Sequence, residues 1–196
     1  MQIKHYKWSL LLVIWVLTIF YTLPLCAQDF PTDRGSRMIL GGFAFSSAGG
    51  ELNSDGDNRL ISLEVSSSYS YFSTPAVAFG GKLVISRLSQ GKSSFTTFGI
   101  GPQILYFFGG DQKPATIKGK SYPYIGASGL YQHLAASGES ANGFSFSFGA
   151  GFLSLLTNTV GFFGEAGYQF DSLSANGETL SGNKINIIAG FLFFLY

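Results

Sequence analysis

Charged side chains are rare in this chain: Asp, Glu, Lys and Arg make up 12% of its residues, against roughly 25% in a typical soluble domain. Glu64, Lys82 and Glu165 stand on the small, polar face of segments whose opposite face is apolar. A charge enclosed on such a face must be paired, because an unpaired buried charge is costly. Glu64 and Lys82 belong to adjacent predicted strands, so the sequence predicts an enclosed salt-bridge network. The alternative is that these charges line a narrow conductive path.

The other chemically active side chains do not form a recognisable catalytic or metal-binding pattern. His133 is followed by Leu134 and Ala135, so no nucleophile with an adjacent base is recognisable and we predict no enzyme. Asn53, Asp55 and Asp57 match the opening of a calcium loop. However, Asn58 replaces the expected glycine and no glutamate closes the loop, so a solvated loop is favoured. We predict no metal site and no cofactor.

The first 27 residues are typical of a secretory signal. Lys4, His5 and Lys7 form a basic start, residues 10–21 an apolar core, and residues 24–27 a cleavage region ending on Ala27. An uncleaved signal anchor is the alternative. Cleavage would leave a domain of residues 28–196 with ten basic and eleven acidic side chains. No basic face remains to suggest a nucleic-acid partner, and the only cysteine, Cys26, would be lost.

Eight later segments alternate apolar and polar side chains with the period of two that defines a strand. The second is the clearest, with Ile61, Leu63 and Val65 opposite Ser62, Glu64 and Ser66. Its length suits the ~9–11 residues with which a tilted strand crosses a bilayer. The fifth has the weakest pattern, and its register stays open. The predicted strands are residues 37–46, 59–72, 76–88, 94–108, 122–133, 143–156, 159–171 and 184–196.

In the second, fourth and sixth segments the bulky face is broad and uninterrupted by charge, while the opposite face is small and polar. The interior of an eight-stranded barrel is just wide enough for side chains. We therefore expect small residues inside, large residues outside, and lipid around them. The predicted fold is all-β: an eight-stranded antiparallel up-and-down transmembrane β-barrel, preceded by a signal peptide.

Aromatic side chains cluster near the ends of the predicted strands, as amphipathic rings do at the two interfaces of a bilayer. With both chain ends on the periplasmic side, one girdle comprises Tyr69, Tyr71, Tyr106, Phe108, Tyr122 and Tyr124. The other comprises Phe144, Tyr168 and Phe170. The polar segment 109–121 is long for a periplasmic connection, so its side stays open.

The last predicted strand ends on an aromatic residue with apolar residues at every second position before it: Ile188, Gly190, Leu192, Phe194 and Tyr196. This pattern resembles the terminal strand of bacterial outer-membrane barrels, which the barrel-insertion machinery reads. The strand alternation and the placement of glycine and aromatics resemble the OmpX/OmpA-type, porin-like β-barrel family. The resemblance implies a place in the outer membrane of a Gram-negative bacterium, with membrane lipid and the insertion machinery as partners.

The resemblance also favours a structural, adhesive or surface-interaction role with a closed, side-chain-filled lumen. Loops 47–58, 135–142 and 172–182 would face outward. A small-solute, porin-like channel is the alternative, and a lipid-modifying enzyme is less favoured because it needs a nucleophile. The loop sequences do not identify an external partner, and the sequence does not determine the oligomeric state.

Overall fold

The alternating segments fold into eight long strands in a computed structural model that describes residues 31–49, 54–55, 58–90, 93–110, 119–136, 139–175 and 178–195. A two-residue strand, Ser54–Asp55, pairs only with the beginning of β2. The long strands are β1 (Arg37–Gly49), β2 (Asn58–Thr74), β3 (Val77–Gln90), β4 (Ser93–Phe107), β5 (Ser121–Ala136), β6 (Glu139–Leu155), β7 (Val160–Ala175) and β8 (Glu178–Leu195).

Each long strand pairs antiparallel with the next, and β1 closes the barrel by pairing with both β2 and β8. At the point of closure, Phe43 of β1 lies between Val65 of β2 and Ala189 of β8. Closure leaves the long strands without an exposed edge. The predicted eight-stranded antiparallel barrel is therefore confirmed.

One end of the barrel, here called the termini end, holds the start of β1 and the end of β8, with Arg37 opposite Leu195. The turn at residues 75–76 and the bend at residues 156–159 lie at this end. The connection from β4 to β5 also starts and finishes here, since Phe107 donates its N–H to Ala76 and Gly119 donates to Leu155. The opposite end is called the loop end.

The strands run farther at the loop end than the sequence predicted. Only residues 137–138 separate β5 from β6, and only residues 176–177 separate β7 from β8, so the predicted loops 135–142 and 172–182 are largely strand. Side-chain pairs that span the hairpins accompany this extension: His133 bonds Asn142, and Ser174 bonds Thr179 at 2.9 Å. Polar residues in the sequence therefore did not mark where the hydrogen-bond ladders between these strands end.

Pro102 interrupts the ladder between β4 and β5 without shifting its register. Pairing runs from Thr96 to Ile100, skips Gly101 and Pro102, and resumes at Gln103 in unchanged register. Proline lacks the N–H that a strand residue donates to a ladder, which accounts for this local gap in the pairing. The same pairing settles the register of β5, with Ile100 opposite Tyr131 and Gln103 opposite Ser128.

Candidate functional site

Large apolar side chains fill the interior at the termini end. Phe72 packs against Phe107 and Phe194, with ring centroids 5.5 Å and 6.1 Å apart. Met38 and Leu192 complete this layer, and both are fully buried. We call these five residues the plug. Because rings and aliphatic chains pack here at full burial, the plug closes the lumen to water at this end.

A short segment that precedes β1, residues 31–36, covers the plug at the termini end. We call this segment the strap. Thr32 is fully buried and its hydroxyl donates to the Gly110 carbonyl at 2.7 Å. The Gly35 N–H donates to the Phe72 carbonyl at 2.8 Å, and the Ala76 N–H donates to the Thr32 carbonyl. The strap therefore links the connections at the termini end through hydrogen bonds and closes that end of the barrel.

Farther toward the loop end the interior becomes polar and holds a buried ion pair. Lys184 Nζ lies 3.1 Å from Glu64 Oε2, with 10% and 1% of the two side chains exposed. The lysine reaches past β1, where Ala44 lies directly between Glu64 and Ile188 in the ladder. The ladder partner of Lys184 on β1 is Ala48, so its side chain extends along β1 as well as across it to reach Glu64. The pair satisfies two charges that would otherwise be costly to bury.

Amides and a carboxylate continue this polar layer beside the ion pair. Gln169 donates its amide to Asp171 at 2.6 Å and accepts a hydrogen bond from the Asn186 amide at 3.3 Å. The Asn186 Oδ1 atom is buried without a partner in the described structure. This arrangement orients the side chains that border the ion pair on β7 and β8.

A half-buried carboxylate, Glu165, bonds a tyrosine across a glycine. Gly151 of β6 lies between Tyr124 of β5 and Glu165 of β7 in the ladder, and the Tyr124 hydroxyl donates to Glu165 at 2.8 Å. A Cβ atom at Gly151 would lie 2.8 Å from the tyrosine ring. The absent side chain of Gly151 is therefore what lets Tyr124 reach over β6.

Lys82 lines the same small cavity as Tyr124 and Glu165, whose volume is about 30 Å³. A cavity of this size has room for about one or two water molecules. In the described structure the only ion-pair partner of Glu64 is Lys184, so the expected Glu64–Lys82 pairing is wrong. Glu64, Lys82 and Glu165 do lie inside the barrel, but they belong to two separate groups.

Lys184 was not among the predicted interior charges, although its position in the strand indicates that it faces inward. Lys184 shares its parity with Ile188, Leu192 and Phe194, and the structure buries all four inside the barrel. Ile185, Ile187 and Phe191 face outward instead. Both faces of β8 are rich in apolar residues, so alternation alone did not say which face was enclosed.

Tyr122 and Tyr124 are not girdle residues. Both are buried in the interior at 3% exposure, next to the plug, and the Phe107 and Tyr124 ring centroids are 5.3 Å apart. The expectation that only small residues point inward fails at the termini end, because the plug there is built from large apolar side chains. Tyr122 and Tyr124 of β5 therefore pack in the barrel interior and not on its outer wall.

The remaining predicted girdle residues stand on the outer face. Tyr69, Tyr71, Tyr106, Phe108, Phe144 and Phe170 are exposed, and Tyr168 is half-buried. Several form edge-on ring pairs, such as Tyr106 with Phe108 at 5.0 Å and Tyr168 with Phe170 at 4.6 Å. Their outward placement is what a girdle requires, but Tyr168 is the ladder partner of Phe148 and so lies near the middle of the apolar stretch of β6, away from its borders. The depth of the other girdle residues in a bilayer stays a prediction. The interior side of β8 is lined by four residues of the predicted insertion signal, Ile188, Gly190, Leu192 and Phe194. Its fifth residue, Tyr196, lies outside the described residues. The insertion signal therefore stays a prediction.

Strand β6 shows the height of the apolar outer wall. Its outward residues from Phe144 to Phe152 are all apolar, being Phe144, Phe146, Phe148, Ala150 and Phe152. Polar pairs bound this stretch: Asn142 bonds His133 toward the loop end, and Ser154 bonds Ser121 toward the termini end. About ten residues at ~3.3 Å each, tilted by ~40°, give an apolar belt of about 25 Å. That height matches the belt of transmembrane barrels.

His133 has an amide beside it rather than a nucleophile, since its Nδ1 lies 2.7 Å from Asn142 Oδ1 on the exposed surface. Among the described residues, no three histidine, cysteine or acidic side chains gather where they could hold a metal ion. In the same residues, no helix is both long and apolar enough to cross a membrane. The interactions shown by polar groups in the described interior are therefore ion pairs and hydrogen bonds.

The architecture is that of the eight-stranded transmembrane β-barrels, as comparison with solved structures shows. The chain is similar to the Neisserial surface protein A, NspA, with a TM-score of 0.58 and 16% identity over 82% of this chain and 99% of that one. It is also similar to the outer-membrane protein OprG from Pseudomonas aeruginosa, with a TM-score of 0.54 and 12% identity over 86% and 100% of the two chains. No protein-family model matches the chain, and no curated protein matches it.

Proposed function

We propose that this protein is an integral outer-membrane β-barrel with a closed lumen and a structural, adhesive or surface-interaction role. The observation that carries the proposal is the inverted distribution of side chains. The ion pair between Glu64 and Lys184 lies inside, while the apolar belt faces outward. A water-soluble barrel would bury its apolar face and expose its charges. An apolar exterior of about 25 Å is instead stable when lipid surrounds it.

The plug supports a closed lumen over a small-solute channel. Phe72 and Phe107 are 0% and 1% exposed, and residues 31–36 cover them from the termini end. A conducting path would require these rings to separate and the strap to leave. The polar groups nearer the loop end therefore stabilise the barrel interior and do not line a continuous route.

The proposed orientation places the termini end in the periplasm and the loop-end hairpins at the cell surface. It includes cleavage of the signal peptide at Ala27, which lies outside the described residues, and insertion by the barrel-insertion machinery. Membrane lipid is the surrounding partner, no nucleic-acid partner is proposed, and no enzymatic activity is proposed. The recognition surface would be the hairpins, since loops held on a rigid scaffold commonly carry function.

Cysteine labelling in intact diderm cells tests this placement. After signal cleavage the chain has no native cysteine, so Ser140→Cys near the loop end and Ser121→Cys at the termini end each supply a single thiol. A membrane-impermeant maleimide should label Ser140→Cys in intact cells and Ser121→Cys only after the outer membrane is opened. Labelling in the reverse order would overturn the orientation, and recovery of both variants in the soluble fraction would overturn the membrane location.

A further inference from the structure

The outer wall is indented where it crosses β4 to β8. An apolar groove of about 820 Å³ lies between the side chains of Ile104, Tyr106, Ile125, Phe148, Tyr168 and Ile185. We call it the wall groove. Its floor is formed by the small outward residues Ala127, Ala150 and Ala166.

The barrel wall beneath this floor is thin. Gly126, Gly149 and Gly167 lie opposite one another on β5, β6 and β7 and also border the groove. Elsewhere on the outer face, large side chains such as Phe43, Leu63 and Phe98 are widely exposed. The indentation is therefore a local feature of β5 to β7.

The groove runs across the strands at the middle of the apolar belt. Ile104, Ala127, Phe148, Tyr168 and Ile185 follow one another as ladder partners from β4 to β8. Four strand spacings of ~4.8 Å give a length of about 19 Å, and because the strands are tilted by ~40° the two ends of the groove differ in depth by about 12 Å. Phe148 is midway between Phe144 and Phe152 on β6, so the groove lies at the depth where hydrocarbon chains surround the barrel.

A second recess adjoins the wall groove toward the loop end. It has a volume of about 690 Å³ and is lined by Phe144, Phe146 and Phe170 together with the polar residues Asp171, Ser172, Ser181 and Asn183. Phe146, Phe170 and Asn183 form the ladder row next to Phe148, Tyr168 and Ile185, one pleat nearer the loop end. An apolar groove thus leads into a recess with hydroxyl, amide and carboxylate groups, which is the polarity profile of an amphiphile.

We propose that the wall groove binds one acyl chain of a lipid from the leaflet on the loop-end side, with the polar part of that lipid in the adjoining recess. The inference rests on the proposed function, which places this wall in a bilayer. An unfilled apolar trough would forfeit dispersion contacts, and a chain of methylene groups fits its length and narrowness. A second copy fits less well, because the Phe148 and Tyr168 rings beside the floor keep two barrel backbones from the close approach that small residues permit.

Native mass spectrometry tests the proposal on the refolded mature protein in detergent doped with dimyristoylphosphatidylcholine. Ala150→Phe fills the floor of the groove, and Ala189→Phe adds the same ring at an exposed alanine of β8 outside it. We expect one retained lipid per wild-type barrel, at least a fivefold loss in Ala150→Phe, and wild-type retention in Ala189→Phe. Ala166→Leu is the smaller second variant, with the same expected direction if Ala150→Phe does not fold.

Equal lipid retention in all folded variants, or none in the wild type, would overturn the groove assignment. A wild-type dimer that Ala150→Phe dissociates would assign the groove to a second copy and would also overturn it. A barrel that folds and inserts into vesicles without retaining lipid leaves the proposed function intact. A chain that does not insert removes both proposals.

Discussion

At the scale of single residues, the interior depends on side-chain pairings that cross an intervening strand. Gly151 allows Tyr124 to reach Glu165 over β6, and Lys184 reaches Glu64 past β1. The sequence predicted that Glu64, Lys82 and Glu165 are enclosed, because alternation assigns their face. It did not predict their partners. A lysine side chain is long enough to cross a strand, so the charge that lies closest in space need not be on the next strand in the sequence.

The ion pair between Glu64 and Lys184 predicts strong coupling in a double-mutant cycle. Glu64→Gln and Lys184→Met should each lower the free energy of unfolding by about 3–5 kcal/mol, since each leaves the other charge buried alone. The double variant should recover most of that loss. Urea unfolding followed by heat-modifiable gel migration measures the four proteins. Lys82→Met is the control and should cost less, because the described structure gives Lys82 no ion pair; additive losses in the double variant would contradict the pairing.

The glycine between Tyr124 and Glu165 predicts intolerance of even a methyl group. In Gly151→Ala the new Cβ would lie 2.4 Å from the Gly164 carbonyl oxygen and 2.8 Å from the Tyr124 ring. We expect a loss of about 1–3 kcal/mol, as for overpacked cores, measured by the same unfolding assay. Gly129→Ala is the matched control, because a Cβ there meets nothing within 4 Å. Equal stability of the two variants would show that the tyrosine does not need this space.

At the scale of elements, strand number, pairing order and the faces of β2, β3 and β4 were predictable from alternation with a period of two. The exceptions have physical causes. Tyr122 and Tyr124 point inward because the termini end of the lumen is apolar, so size and aromaticity do not mark the outer face there. The hairpin ends extended beyond the predicted strands because polar cross-strand pairs continue the ladder where apolar alternation stops.

The apolar belt predicts that the cost of a charge on β5 depends on its depth. Ala127 lies opposite Phe148 at the middle of the belt, whereas Ser121 lies opposite Ser154 at its lower border. Ala127→Lys should lower stability by about 2–4 kcal/mol and Ser121→Lys by about 0–1 kcal/mol. Unfolding from phospholipid vesicles measures both. Equal costs at the two depths would contradict the position assigned to the bilayer.

At the scale of the whole molecule, the barrel combines an apolar exterior with an interior that changes from apolar to polar along its axis. The sequence predicted the exterior from a bulky face that charge does not interrupt. It could not predict the plug, because Met38, Phe72, Phe107 and Phe194 lie far apart in sequence and meet only when the barrel closes. The strap of residues 31–36 could not be predicted either, since its hydrogen bonds reach two separate connections, the β2–β3 turn and the β4–β5 connection.

The plug predicts that removing its rings opens the lumen. In the double variant Phe72→Ala/Phe107→Ala, two of the three stacked rings are lost, and water can enter the space they leave. We expect this variant to be less stable than the wild type and to show brief openings in a planar bilayer. Phe79→Ala/Phe98→Ala is the control, because both of its rings are exposed on the outer wall. Openings in the control alone would contradict the plug.

Single-channel recording of the refolded wild-type protein in a planar bilayer tests the closed transmembrane barrel most directly, once heat-modifiable migration confirms folding. The protein should insert and show no discrete openings, because the plug and the strap seal the termini end. Steady openings whose ion selectivity changes in Lys82→Glu would contradict this account and make the lumen a conducting pore.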